Sequence, residues 1–95
     1  MVEALTAQAR CFINGHLVRG TLEKLANPEE AHRFKDASGT LVDSLLDSLT
    51  LLASTCSIDS GFREIVGAIR QGHKEGNVAT IRNRAVEAIK FLQNV

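Results

Sequence analysis

Apolar residues recur at Phe34, Leu41, Leu45, Leu49 and Leu52, with Val42, Leu46 and Cys56 beside them. Residues three and four apart share one face of an α-helix, so the run predicts an amphipathic helix rather than a strand. Its apolar arc is broad enough to require burial on more than one side. Just upstream lies the clearest boundary in the chain: Asn27 is a good N-cap, Pro28 suits the first helical position, and Glu30 stands where a capping-box acid reaches back. Ser38-Gly39 is expected to bend or divide this helix, with Thr40 capping its second part.

Three further segments carry the same period. Over residues 2–26, Leu5, Ala9, Phe12, Ile13 and Leu17 follow helical spacing, and Val18, Leu22, Leu25 and Ala26 continue it on a drifting face. Asn14-Gly15 interrupts this pattern. It is also a hairpin signal, with Cys11-Phe12-Ile13 and His16-Leu17-Val18 as short flanking strands. No third strand accompanies them, and an isolated hairpin is marginal in water, so a helix bent or broken at Asn14-Gly15 is expected. Asp59 or Ser60 can cap a helix carrying Phe62, Ile65, Val66 and Ile69, with Arg70, His73 and Lys74 at its electronegative end. Gly76-Asn77 makes the last turn, and Ile81, Ala85, Ala88, Ile89 and Leu92 form the final stripe. Short connections between four such helices favour antiparallel neighbours. The expected fold is therefore all-α, an antiparallel four-helix bundle forming a single domain over 1–95, its first or second helix bent or broken.

Composition narrows the function. Lys plus Arg and Asp plus Glu number 11 each, for a formal net charge of zero. Phosphate affinity comes from accumulated positive charge, so the balance argues against a nucleic-acid partner. Trp and Tyr are absent and Phe numbers 4, which leaves few stacking platforms for single strands. No apolar run approaches the roughly 20 residues that span a bilayer. The N-terminal residues lack a basic flank and an apolar core, so no secretory signal and no membrane is read here, and a cytoplasmic location is expected. Cys11 and Cys56 stand far apart without a C-x-x-C pair and are expected to be reduced, mostly buried thiols, a disulfide being the alternative for an exported protein.

His32 lies near the start of the second helix, in Ala31-His32-Arg33-Phe34-Lys35-Asp36-Ala37-Ser38-Gly39-Thr40-Leu41. It points sideways or outward relative to Phe34 and Leu41. An exposed imidazole is a nucleophile near neutral pH, and Lys35, three residues on, is placed to hold a phosphoryl group electrostatically. The stretch resembles the histidine-phosphotransfer domains of bacterial and plant phosphorelays, small four-helix bundles whose motif reads roughly A-H-x-apolar-K-G-(A/S)-(A/S)-G. The resemblance implies that His32 is the phospho-acceptor, Lys35 its auxiliary cation and a receiver domain the partner. Asp36 stands where the motif has glycine, His32 comes early in its helix, and Val42 stands where a second glycine usually follows. Without phosphotransfer, His32 is a surface histidine on a capped helix.

Asp43-Ser44-Leu45 resembles the D-S-L of acyl and peptidyl carrier proteins, which would make Ser44 a phosphopantetheine attachment point. Asp47-Ser48-Leu49 repeats the triplet one turn on, as expected of a helix with leucines inside and Asp and Ser outside. Glu29 and His32 form a lone E-x-x-H, whereas di-iron bundles need two with further carboxylates, and Cys11 and His16 do not share a helix face; no metal and no cofactor is expected. Residues 1–56 hold five basic and seven acidic side chains and residues 57–95 six and four, so Arg70, Lys74, Arg82, Arg84 and Lys90 offer a mild basic face or a plain solvated one. The reading that follows is a non-enzymatic helical protein acting through protein–protein contact, by self-association or by accepting a partner helix, with phosphotransfer at His32 as the alternative.

Overall fold

The structure is a computed structural model and describes residues 2–54, 56 and 60–92. It is all-helical over those residues, with five helices: α1 (Val2–Ala26), α2 (Pro28–Asp36), α3 (Gly39–Ala53), α4 (Ser60–Lys74) and α5 (Val78–Leu92). The fifth helix arises because the segment after Asn27 is divided. Ala37 and Ser38 both turn to extended backbone, with ψ of 153° and 151°. The Ser38 hydroxyl accepts from the Leu41 N–H at 3.2 Å, so Ser38 caps α3 and the expected cap, Thr40, lies inside the helix. By contrast α1 runs unbroken through Asn14-Gly15, and no strand forms among the described residues. Gly15 is buried there.

The other boundaries follow local chemistry. Asn27 caps α2 by accepting from the Glu29 N–H at 2.9 Å. The expected return contact from Glu30 is not made. The Asn27 N–H already donates to Lys24 O at 3.0 Å, leaving no orphan donor for that carboxylate, and Glu30 pairs with Arg33 at 3.1 Å instead. Gly76 takes φ of 64°, and the N–H groups of Gly76 and Asn77 donate back to His73 O and Gly72 O, which ends α4 in a Schellman turn. Asn77 then caps α5 through Thr80 N–H at 3.1 Å. Of the two caps expected for α4, Asp59 lies outside the described residues.

All five helices contribute to one buried cluster. Val18, Leu22 and Leu25 come from α1, Ala31 and Phe34 from α2, and Val42, Leu46, Leu49 and Ala53 from α3. Phe62, Val66 and Ile69 on α4 meet Ile81, Ala85, Ala88 and Leu92 on α5. Small residues let α4 and α5 approach closely: a Cβ built on Gly72 would stand 3.1 Å from Thr80 Cγ2 and 3.3 Å from Ile81 Cγ1. Neighbour contacts run α1–α3, α3–α4, α4–α5 and α5–α1, with α2 touching α1, α4 and α5. At one end Arg82 Nε donates to Ala26 O at 2.9 Å and His73 Nε2 to Ala37 O at 2.8 Å. At the other, Arg19 Nη2 donates to Leu92 O at 3.4 Å and Cys11 is joined to Cys56.

The Cys11–Cys56 disulfide corrects the expectation of reduced thiols. The two Cα atoms lie 4.9 Å apart, within the ordinary range for a cross-link, although 45 residues separate them in sequence. None of the described helices is long and apolar enough to cross a membrane.

Candidate functional site

His32 is exposed on the second turn of α2, with Glu29 exposed one turn before it. Lys35 is half-buried on the same helix, and its ammonium lies 3.7 Å from Asp36 Oδ1. The residue at which the phosphotransfer motif has glycine thus stands beside the cation that would assist His32. The helix carrying His32 has nine residues, and Phe34 and Ala31 anchor it from the opposite face. His73, at the C-terminal end of α4 as expected, is half-buried. Its ring stands edge-on to Phe34 at 5.7 Å, and the bond to Ala37 O requires a proton on Nε2, because a carbonyl only accepts.

Ser44 is exposed on α3, beside an apolar groove of about 310 Å³ between α2 and α3 that includes Phe34, Ala37, Leu41 and Leu45. It sits in the second turn of the helix, not at its start, where the carrier resemblance would put it. His16 is exposed and its ring meets Phe12 edge-on at 4.6 Å. Cys11 is committed to the disulfide, so Cys11 and His16 make no ligand pair. Among the described residues no three His, Cys, Asp or Glu side chains gather closely enough to hold a metal ion.

The expected basic face is largely engaged. Arg84 chelates Glu87 at 2.8 Å, and Arg82 is turned to the Ala26 carbonyl. Arg70 reaches across from α4 to α3, with Nη2 at 3.0 Å from Asp47 Oδ1. Its Nε lies 3.1 Å from Asp43 Oδ1, an ion pair by distance that lacks hydrogen-bond alignment. Such half-exposed pairs contribute between zero and about 1 kcal/mol each. They orient α3 against α4 more than they hold it there.

What the structure brings to the surface is apolar. On α1, Phe12, Ile13 and Leu17, all members of the expected inner stripe, are more than half exposed. On α3 the core seam is Val42, Leu46, Leu49 and Ala53, while Leu41 is 64% and Leu51 72% exposed. The broad arc of α3 thus has one side in the core and the other in solvent. A second groove, about 460 Å³, runs between α3 and α4 past Thr50, Leu51, Val66 and Gly67, with Asp47 and Arg70 at one end and Ser54 and Arg63 at the other. Sequence reasoning missed this groove. Arg63, Gly67 and Arg70 recur at helical spacing on one side of α4, the only trace of it before the neighbouring helix is known.

No family model, curated protein or solved structure matches the chain.

Proposed function

We infer that this chain is a non-enzymatic interaction module, an antiparallel bundle of α1, α3, α4 and α5 linked by the short α2, which acts by contacting another protein or a second copy of itself. One observation carries the reading. Five large apolar side chains, Phe12, Ile13, Leu17, Leu41 and Leu51, are each at least 56% exposed on the surfaces of two helices. Isolated exposed leucines are ordinary, but a chain of 95 residues that places this many on two contacting helices has surface to cover. The disulfide bears on where this happens. Such bonds persist in oxidising compartments and are rare in the cytosol, which weighs against the cytoplasmic placement expected from the sequence.

The test is to strip that surface at once. Ile13→Ser, Leu17→Ser, Leu41→Ser and Leu51→Ser combined in one chain remove no buried side chain, so helix content by circular dichroism is expected to persist while complexes of the chain dissociate. Complexes that survive all four changes contradict the reading.

Phosphotransfer is the second reading, favoured by the exposure of His32, which neither caps a helix nor enters the core. In it the phosphoryl group passes from an aspartyl phosphate of a receiver domain to a ring nitrogen of His32. The aspartate leaves as carboxylate and the ring proton goes to solvent. An acid-labile phosphate on the chain that is absent from His32→Gln supports it, and a label that persists in His32→Gln ends it. A phosphopantetheine adduct on Ser44 would support the carrier resemblance.

A further inference from the structure

Helix α1 outruns its neighbours. It has 25 residues against 15 in each of α3, α4 and α5, an excess of about 15 Å at the helical rise. The excess lies at its N-terminal end. Arg82, near the start of α5, reaches Ala26 O at the last residue of α1, whereas Leu92, the last residue of α5, is already level with Arg19. The buried hydrophobic side chains of α1, Val18, Leu22 and Leu25, all fall within or beside this overlap. Between residues 9 and 14 every side chain is exposed except those of Cys11 and Asn14, which are half-buried.

Cys11 ties this stretch to a fixed point. Its partner Cys56 is 8% exposed and stands just beyond α3, where its N–H donates to Ala53 O at 2.9 Å. Ala53 in turn belongs to the core. Downstream of the tie, Asn14 and Gly15 are both weak helix formers, so α1 is locally weakest just before its overlap with α5. Isolated helices shorter than roughly 12–15 residues are marginal in water, and residues 2–14 fall in that range. Cut loose from Cys56, the stretch has no buried apolar side chain among those described to hold its helix. The rest of α1 keeps Val18, Leu22 and Leu25 in the core and the Arg19 and Arg82 contacts with α5.

We propose that the Cys11–Cys56 bond is a redox latch: on reduction by a dithiol the chain keeps its bundle but releases residues 2–14 of α1 from helix to coil. A thiolate of the dithiol attacks Sγ of Cys11, the more exposed of the two residues, and Cys56 leaves as thiolate and takes up a proton. The second thiol of the reductant then attacks its own sulfur in the mixed disulfide, and Cys11 leaves as thiolate and is protonated in turn. Two electrons pass to the protein, and the dithiol becomes a disulfide. Phe12 and Ile13 ride on the released stretch, so reduction takes them off the fixed surface and leaves Leu17, Leu41 and Leu51 on it. The release itself does not depend on what that surface meets.

Amide hydrogen exchange of the full chain, oxidised and after dithiothreitol, tests the latch. Exchange over residues 2–14 is expected to accelerate more than about ten-fold on reduction, while α4 and α5 stay protected. Reoxidation restores the slow rate. Trypsin cleavage after the exposed Arg10 follows the same pattern, since a protease cuts the opened chain. In the double variant Cys11→Ser with Cys56→Ser the stretch exchanges fast with or without reductant. Equal protection of residues 2–14 before and after reduction overturns the proposal, as does fast exchange already in the oxidised chain. Loss of protection in all five helices together also overturns it, because the bond then holds the whole fold and not one segment.

Discussion

At the scale of single residues, two glycines on α4 separate surface from seam. Gly67 faces open space in the α3/α4 groove, whereas Gly72 abuts Thr80 and Ile81. Alanine is a better helix former than glycine by about 1 kcal/mol. Gly67→Ala is therefore expected to raise the unfolding free energy by up to about that amount. Gly72→Ala gains the same backbone term but forces the α5 side chains back by a few tenths of an ångström, and is expected to gain nothing or to destabilise. Urea unfolding of both variants decides the matter, and equal stabilisation by the two would contradict the packing of α4 on α5. In the sequence the two look alike, since a glycine on a helix allows a bend, a close contact or a cap. What separates them is the identity of the opposing helix, which no local pattern contains. His32 was legible as a surface residue from its register against Phe34. The nearness of Lys35 to Asp36 was not, because side-chain rotamers are not written in the helical period.

At the scale of elements, what was legible is what is decided locally. Asn27-Pro28 and Gly76-Asn77 delimit helices through contacts within a few residues, and both turns are made as their side chains require. Asn77→Ala is expected to cost about 1 kcal/mol by freeing the Thr80 N–H, and Ser38→Ala a similar amount at the start of α3. Loss of either cap without change in stability would mean that tertiary packing alone fixes these ends. Less legible was which stripe of a wide apolar arc faces inward. Phe12, Ile13 and Leu17 keep helical spacing as faithfully as Val18, Leu22 and Leu25, yet the first three are exposed and the last three buried. Periodicity gives a face relative to its own axis. The rotation of that axis is set by neighbours, here α3 and α5 on either side of α1. Leu41, a member of the expected α3 stripe, is bare for the same reason.

At the scale of the whole molecule, the disulfide and the uncovered apolar surface set the behaviour. A chain of this size buries only about 60–65% of its unfolded surface, so its core works with little margin. Closing the 45-residue interval between Cys11 and Cys56 restricts the unfolded ensemble by roughly 4 kcal/mol in the chain-entropy view. Cys11→Ser with Cys56→Ser is accordingly expected to lower the unfolding midpoint sharply, and reductant to do the same to the native chain but not to the variant. An unchanged midpoint would show that α1 is held by packing alone. The pairing itself was not legible, since two thiols so far apart in sequence meet only through the fold. The central claim is that the chain works through contact with protein, and native mass spectrometry of the intact chain, isolated gently from its own cells, tests it most directly. The unmodified 10.3 kDa chain is expected within a larger assembly. A free single chain at every concentration would contradict it, and a free chain carrying an acid-labile phosphate at His32 would replace it with phosphotransfer.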